Sequence, residues 1–375
     1  MKPSILSIEA VRHALNLRDL TNPEDGPHGV QLIIEDILQQ LRSTWACEVK
    51  LHRESPIVTI EDNYDRLHYP RDGAARDARY TRYVCGSALL RTMTSAMIPR
   101  AMRLAADDMP SDIVLACPGI VYRRDVIDRL HTGEPHQIDL WRVCRKTVTI
   151  TDLEEMVRIV VQSAVPGRKW RTEPRVHPYT LEGLQIDVLD GEEWIEIGEC
   201  GLVRPEILAE NIPQVKEVTG LAMGLGLDRI LMVRKGIPDI RYLRSNDPRI
   251  ASQMLDLAPY REVSSMPAAI RDISLVLDED LSGEELGDRV RESLGCEANA
   301  VEAVEILSQT SYHALPPAAI KRLGIREGQT NILVRIVLRA LDRTLTNDEC
   351  NAYRDTIYEC LHQGSSWQWA SKSQR

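Results

Sequence analysis

The 375-residue chain contains no phenylalanine, although it has 11 tyrosines and 6 tryptophans. Hydrophobic residues still make up 43% of the sequence, which is an ordinary share for a globular protein. The apolar core must therefore be built from aliphatic residues, methionine and the other two aromatic types. One residue type is missing, and a general shortage of core-forming side chains is excluded.

Three further features are missing. No run of 18 apolar residues occurs, so we expect no membrane-spanning segment and no membrane partner. The N-terminus lacks the basic and then apolar order of a signal peptide, and Glu9 and Asp19 are unfavourable in a mitochondrial leader. The eight cysteines form no CxxC pair, which favours reduced thiols over zinc ligands or disulfides. These absences predict a cytoplasmic protein.

The order of apolar patterns predicts an α+β protein of two domains. Residues 1–250 combine amphipathic helices, of which 28–45 is the clearest, with strand-like patterns from 112 to 151. Residues 251–262 have mixed polarity and contain proline, which is typical of a linker. Residues 263–375 show a βαββα order that predicts a compact second module.

Three groups of residues in the first domain carry chemistry. A strand ends in two arginines, the first of which is Arg123, and the loop after it contains Asp125 and His131. These side chains could bind a triphosphate with its magnesium ion, or they could simply be the exposed residues of a solvated hairpin loop. The glycines of 224–229 let a backbone approach a ligand closely, or simply allow helix packing. The LLRTMTS segment, 89–95, indicates a hydroxyl-capped helix start.

In this order and spacing, the three groups resemble those of the phenylalanine–tRNA ligases, which are class II aminoacyl-tRNA synthetases. The matching segments are NYDRLHYPRDGAARD, LLRTMTS, PGIVYRRDVIDRLHTGEPHQID, EIGECGLVRPEIL and TGLAMGLGLDRILMVRKGIPDIRYLRSND. They cover most of residues 28–250. Residues 263–375, with MPAAIRDISLVLD and RTLTNDECN, resemble the ferredoxin-fold anticodon-binding domain of the same family. Both parts in one short chain resemble the single-chain type, which implies a monomer.

The resemblance implies an antiparallel-sheet catalytic domain of the class II type over residues 1–250 and a small ferredoxin-like α+β domain over 263–375. It implies a ligase of protein biosynthesis that attaches L-phenylalanine, or a related amino acid, to a tRNA through an aminoacyl-adenylate. ATP and Mg²⁺ are the implied cosubstrate and cofactor. Removal of 263–375 is expected to spare amino acid activation and to impair tRNA charging.

The resemblance also implies roles for individual residues. Arg123 would hold the α-phosphate, and Arg229 the terminal phosphate while stacking over adenine. The other implied ATP-binding positions are Asp125, His131, Pro135 and Gly226. The implied amino-acid-binding positions are Ser95, Gln137, Asp139, His177, Tyr179, Leu221, Ala222 and Met223. Within that set, Gln137 and Asp139 would receive the ammonium group, and Ala222 would form the floor of the side-chain pocket.

Several of these positions depart from the family. Pro135 stands where the family usually has a phenylalanine stacked on adenine, and Met93 stands where it has histidine. The family's FPF is His-Pro-Tyr at 177–179, its FAF is Leu-Ala-Met at 221–223, and its ammonium-site glutamate is Asp139. The departures therefore concentrate at the implied substrate site.

Two interpretations explain the departures. Phenylalanine has been purged from the protein with the substrate unchanged, or the pocket has been changed for another amino acid. Around a hydrocarbon ring, His177 and Tyr179 would leave polar groups unpaired at a cost of ~1–3 kcal/mol each. Only purging explains aliphatic residues outside the pocket, such as Leu275, and we favour it. Deliberate engineering would leave the same composition.

Three functions remain open at this point: the phenylalanine ligase, a paralogue that activates another amino acid or uses another acyl acceptor, and a non-catalytic regulator. Both motif arginines and Gln137 are present, which argues against the regulator. The net charge of −10 argues mildly against a nucleic-acid partner, although local patches decide such binding.

Overall fold

The computed structural model describes residues 5–77, 80–263, 266–278 and 281–367. The chain forms two compact units. The first unit is made from residues 1–123, 134–243 and 251–261, and the second from residues 124–133, 244–250 and 262–375. A change of unit falls at residue 262, at the end of the predicted linker, and the sequence pattern gave no indication that 124–133 belongs to the second unit.

The first unit is built on a seven-stranded sheet in the described part of the chain. Its strands and a separate short pair are β1 (Glu48–Leu51), β2 (Ile57–Thr59), β3 (Ala88–Leu90), β4 (Asp112–Ile120), β5 (His136–Cys144), β6 (Trp170–Pro174), β7 (Thr180–Asp190), β8 (Glu193–Val203) and β9 (Thr219–Gly226). The sheet order is β1-β4-β5-β9-β8-β7-β6, and β2 pairs only with β3. Every neighbouring pair in the large sheet is antiparallel except β1 with β4. The predicted α+β class with an antiparallel sheet is confirmed.

Helices flank this sheet. They are α1 (Ile8–Leu15), α2 (Gly29–Trp45), α3 (Ile60–Asn63), α4 (Ile98–Ala105), α5 (Ile150–Ala164), α6 (Pro205–Asn211) and α7 (Leu227–Lys235). The next helix in the chain, α8 (Pro248–Ala251), begins in the segment 244–250 of the second unit. The helix predicted over 28–45 is confirmed as α2, because its apolar residues recur every three or four positions and the His28 side chain caps the Val30 N–H at 3.2 Å. No helix among the described residues is both long and apolar enough to cross a membrane.

The predicted linker, 251–262, is not a free connection. The Lys235 ammonium at the end of α7 is buried, and it donates to the Asp256 carboxylate at 2.7 Å and to the Asp256 and Ala258 carbonyls at 2.9 and 2.5 Å. The Tyr260 N–H returns to the Lys235 carbonyl at 2.7 Å. A buried ammonium needs several acceptors, so these contacts fix 251–261 on the first unit.

The second unit follows the predicted βαββα order, with one additional short helix. Its elements are β10 (Ala269–Leu277), α9 (Gly283–Leu294), β11 (Val301–Ser311), α10 (Pro317–Leu323), β12 (Thr330–Leu338) and α11 (Asn347–Leu361). The strands lie antiparallel in the order β10-β12-β11. Capping boxes begin α9 at Ser282 and α11 at Thr346. All eight cysteines of the chain are free thiols in this structure.

Candidate active site

One face of the large sheet has a floor of small residues. Along β9 small and large side chains alternate, so the small ones share a face. That face carries Gly220, Ala222, Gly224 and Gly226. Directly opposed residues of antiparallel strands lie on the same side of the sheet. The floor is therefore flanked by Gln137 and Asp139 of β5 and by Glu199 of β8, and both Asp139 and Glu199 are opposite Gly224.

Asp139 is a buried carboxylate beside this floor. The Thr94 hydroxyl donates to one of its oxygens at 2.7 Å, and the Trp141 indole N–H donates to the other at 3.1 Å. Burial raises the pKa of Asp139 to about 6, against the lowering effect of Thr94, Ser95 and Trp141. A carboxylate in this setting gives up its proton less readily than an exposed one, and an approaching cation favours its ionised form.

The Asp139 neighbours were only partly predicted. Ser95 is buried and lies within hydrogen-bonding reach of Asp139 and the Tyr179 hydroxyl. It lies in a 3-10 turn, Thr94–Met97, that precedes α4, and not in the α-helix start that the hydroxyl pattern indicated. Thr94 and Trp141 were not identified from the sequence, although both contact the carboxylate.

Gln137 presents an amide to the same face two residues before Asp139. Its side chain has no hydrogen-bond partner among the residues that the structure describes, and it is partly exposed. Its neighbours in the adjacent strands are Gly119 and Gly226. The amide is therefore available to a ligand on the glycine floor.

Tyr179 is the centre of an aromatic cluster near Asp139. Its ring stacks on Trp141 at 5.6 Å and on His177 at 5.9 Å between centroids, and Tyr69 lies at 6.2 Å. Burial raises the pKa of Tyr179 well above its ordinary value, and the nearby Tyr69 and Asp139 add to this effect. Tyr179 therefore stays neutral and contributes an apolar ring with one hydroxyl.

His177 has polar neighbours inside the protein. Its Nδ1 lies 3.0 Å from the Thr180 hydroxyl, and its Nε2 lies 3.0 Å from the Glu199 carboxylate without the alignment of a hydrogen bond. Arg175 reaches the same carboxylate at 3.3 Å. Burial alone would raise the pKa of Glu199, but His177 and Arg175 outweigh it and hold that pKa below its ordinary value. Glu199 is thus a charged group on the active face, and sequence reasoning missed it.

A buried histidine joins the start of β5 to the start of α7. The His136 Nε2 accepts from the Leu20 N–H at 3.1 Å, so its proton lies on Nδ1, which donates to Asp228 at 2.9 Å. The His136 backbone N–H donates to the other oxygen of Asp228. Because Gln137 and Arg229 are the next residues in each element, this network fixes their backbones relative to each other.

The two predicted cationic residues lie in the first unit. Arg229 lies in the first turn of α7 and donates to the Glu196 carbonyl at 3.2 Å. Burial raises the pKa of Glu196, and Arg229 opposes that shift. Arg123 follows β4 and bridges to Thr81 through the backbone. Pro135 is buried, and its carbonyl accepts the Val121 N–H at 2.8 Å, which positions the turn into β5.

Two predicted ATP-binding residues belong to the second unit. Asp125 and His131 lie in the segment 124–133. His131 pairs with Asp128 at 2.8 Å, and the Asp125 carboxylate accepts the Val126 N–H at 3.0 Å. The contacts described above bring together four of the predicted amino-acid-binding residues, Ser95, Asp139, His177 and Tyr179.

Of the three residues predicted to line the amino acid pocket, Leu221, Ala222 and Met223, only Ala222 lies on the face of β9 that carries the glycine floor. Strand alternation places Leu221 and Met223 on the opposite face of β9 from the glycine floor, whereas Ala222 is opposite Trp141 and packs in its cluster. Among the residues that the structure describes, no group of three or more His, Cys, Asp or Glu side chains is arranged to hold a metal ion.

Comparison with known proteins identifies the family of the chain. The family described as tRNA synthetases class II core domain (F) matches residues 19–254. The chain is 32% identical over 253 residues to the phenylalanine–tRNA ligase alpha subunit of Heliobacterium modesticaldum, covering 64% of this chain and 72% of that protein. It is 30% identical over 266 residues to the corresponding alpha subunit of Enterococcus faecalis, covering 66% of this chain and 76% of that protein.

These relatives are alpha subunits by name, which weighs against the monomer expected from the sequence. The match to the family spans the large sheet, the glycine floor, Asp139 and the first turn of α7. The chain belongs to the class II tRNA synthetase core-domain family.

Proposed function

We propose that this chain is an ATP-dependent ligase that activates phenylalanine as an aminoacyl-adenylate and transfers it to a tRNA. The observation that carries the proposal is the glycine floor between Gln137 and Asp139. A backbone floor admits a ligand closely, the Gln137 amide is available to it, and the Asp139 carboxylate gains stability when an ammonium group arrives.

Two steps follow from this arrangement. In the first, a carboxylate oxygen of the amino acid forms a bond to the α-phosphorus of ATP, and the bond from that phosphorus to pyrophosphate breaks. In the second, a ribose hydroxyl of the tRNA forms an ester with the acyl carbon, and AMP leaves. Neither step requires a protein nucleophile, so alignment and fixed positive charge supply the catalysis. Arg123 and Arg229 are proposed to bind the phosphates of ATP.

Magnesium fits this site as a companion of ATP. Mg²⁺ is usually held by one or two carboxylates and by substrate phosphates, so a dedicated protein cage is not required. Glu196 would hold it, because its carboxylate is partly buried and interacts electrostatically with Arg229. When bound, the ion neutralises charge on the phosphates.

The surroundings of His177 and Tyr179 support phenylalanine as the amino acid. The His177 Nδ1 bonds the Thr180 hydroxyl, its Nε2 lies 3.0 Å from the Glu199 carboxylate, and Tyr179 has Ser95 within reach. These neighbours reduce the cost of ~1–3 kcal/mol per unpaired group that favoured a changed pocket. One observation favours the second candidate, an amino acid with a polar side chain: Glu199 keeps a negative charge on the active face.

The proposal extends to the whole chain. The antiparallel sheet β10-β12-β11 and the βαββα order of the second unit support its assignment as a ferredoxin-like module that binds tRNA, in a single-chain enzyme of the cytoplasm. The loss of phenylalanine from the sequence would then let the enzyme be synthesised when its own product is scarce.

Amino-acid-dependent exchange between ATP and pyrophosphate tests the proposal. Exchange with phenylalanine alone among the twenty amino acids is expected. Exchange with another amino acid would establish the second candidate, and no exchange with any would overturn both. Arg229→Ala should abolish exchange in a folded protein, since its charge is proposed to stabilise the phosphates; normal exchange in that variant would refute its role.

A further inference from the structure

Arg91 is a buried cation of the first unit that the site described above does not use. It follows β3 directly and is 3% exposed. Its Nε donates to the Ile120 carbonyl at 2.8 Å, and its Nη1 donates to the Glu54 carbonyl at 3.2 Å and the Met97 sulfur at 3.1 Å. Among the residues that the structure describes, no Asp or Glu oxygen lies within 4 Å of its nitrogens, and its Nη2 has no acceptor.

A buried guanidinium without a direct carboxylate partner needs an explanation, because removing an ion from water is costly unless the ion is paired. Burial lowers the pKa of Arg91, and the negative charge of Asp19 opposes that effect without forming an ion pair. Arg142 shows the usual arrangement in the same unit. It is also buried, but the Asp112 carboxylate accepts from two of its nitrogens at 2.9 and 2.6 Å. Arg91 therefore keeps a fixed positive charge that an anionic ligand would stabilise.

The Arg91 guanidinium lies on the same face of the sheet as the glycine floor. Gly119 of β4 is directly opposite Gln137, and Gln137 is directly opposite Gly226, so all three lie on one side of the sheet. A Cβ atom at Gly119 would lie 3.0 Å from the Arg91 guanidinium carbon and closer still to Nη2. The guanidinium therefore covers Gly119 on that side, and Nη2 is the atom of Arg91 nearest to the floor.

Three polar groups follow one another across this face. Asp139, the proposed acceptor of the ammonium group, and Gln137 are two residues apart in β5, a rise of about 7 Å. The Gln137 side chain has no partner among the described residues, and Arg91 lies over the glycine opposite it. A carboxylate, an amide and a guanidinium in this order are complementary to the ammonium and carboxylate groups that an α-amino acid carries on one carbon atom.

We propose that Arg91 binds the carboxylate of the amino acid substrate through Nη2. This inference rests on the proposed function. One carboxylate oxygen accepts from Nη2, and the other remains free to form the bond to the α-phosphorus of ATP. The bonds to the Ile120 and Glu54 carbonyls already hold the guanidinium, so binding carries little entropic cost from ordering this side chain. A carboxylate is favoured over a phosphate as the ligand because Arg91 lies beside the Gln137 and Asp139 pair.

The test uses two ligands that differ only at the carboxylate: L-phenylalanine, and L-phenylalaninol, in which a CH2OH group replaces it. Titration calorimetry on the full chain gives a Kd for each. Arg91→Met should weaken the binding of phenylalanine about 10- to 100-fold, as expected for one hydrogen bond between charged groups, and leave the Kd of phenylalaninol unchanged. A merely structural role would weaken the binding of both ligands alike. Arg91→Lys keeps the charge and should restore part of the loss.

Arg142→Lys is the matched control for Arg91→Lys. Arg142 is also buried in the first unit, but strand alternation places it on the other face of β5, where Asp112 is its partner. Both Kd values should match those of the wild type in a folded Arg142→Lys variant. The binding of ATP alone should be unchanged in every Arg91 variant.

Gly119→Ala tests the same contact with Arg91 retained, because Arg91→Met leaves the Ile120 carbonyl without its donor and could unfold the protein. The added methyl group should displace Nη2 and lower the preference for phenylalanine over phenylalaninol. If the wild type binds phenylalanine and this preference is unchanged in the folded variants, the inference is wrong. Loss of ATP binding with phenylalanine binding retained would assign Arg91 to a phosphate and also overturn it. If the wild type binds neither ligand, the proposed function fails and this inference fails with it.

Discussion

The buried carboxylate of Asp139 gives the sharpest test of the site, because one group links activity and stability to pH. Its pKa of about 6 lies above the ordinary 3.8 since burial penalises the charged form. The ammonium group of a substrate is proposed to bind the ionised form. At about pH 5 only about a tenth of the carboxylate is ionised, so the KM for the amino acid should be roughly tenfold higher than at about pH 8.

The same shift has a defined sign for stability. Because the pKa of Asp139 is higher in the folded state than in the unfolded state, this residue stabilises the native protein fully at a pH below the unfolded pKa of 3.8. That contribution is lost as the pH rises through the folded pKa of about 6. A shift of about two pKa units corresponds to ~3 kcal/mol, so ionised Asp139 lowers the free energy of unfolding by about this amount at neutral pH. Asp139→Asn cannot ionise, and the Thr94 hydroxyl can rotate to accept from its amide.

Asp139→Asn should therefore be more stable than the wild type at about pH 8, by up to ~3 kcal/mol in urea unfolding, and should bind the amino acid weakly with no pH dependence. Asp187→Asn is the control, because Asp187 is also a buried aspartate of the first unit but is paired with Arg171 and Gln185. A wild-type KM for the amino acid that is flat across this pH range would refute the reasoning. So would a loss of stability in Asp139→Asn at the higher pH.

Two further substitutions test how the site is held. Asp228→Asn removes the negative charge and leaves one of the two His136 donors facing an amide NH2 group instead of an acceptor, and it should cost about 1.5–3 kcal/mol and lower the rate of exchange; an unchanged midpoint of thermal unfolding would contradict the role of this network. Gly198→Ala should disrupt the sheet and abolish exchange, because its Cβ would lie 2.4 Å from the Gly224 carbonyl, whereas Gly86→Ala meets nothing within 4 Å and should behave as the wild type. Equal expression, unfolding and exchange in both glycine variants would show that the close strand approach is unimportant.

The sequence predicted the elements whose determinants are local. The α2 helix follows from apolar spacing and the cap at His28, and the βαββα order of the second unit follows from its alternating strands and capping boxes. The sequence of β9 also indicates locally which of its side chains share a face. Its alternation of small and large residues distinguishes Ala222 from Leu221 and Met223 without any structure.

Contacts between distant residues could not be predicted. Arg291 donates to the Asp125 carbonyl although the two residues are 166 positions apart, so nothing near 124–133 reveals that this segment belongs to the second unit. The pairing of His177 with Glu199 likewise depends on the neighbouring strands β7 and β8. From the sequence alone, His177 had a polar group in need of a partner, and the partner supplied by the fold changed the interpretation of the pocket.

The floor of small residues on β9 also limits how this site can change. A surface made largely of peptide groups cannot be altered by substitution without adding a side chain that fills the space above it, and a Cβ atom at Gly224 would already lie 3.6 Å from the Asp139 carboxylate. Changes in which amino acid the site binds must therefore come from the side chains around the floor, at Tyr179, His177 and Glu199. The floor contacts any amino acid in the same way, so substitutions at these surrounding side chains are the way to change the substrate specificity.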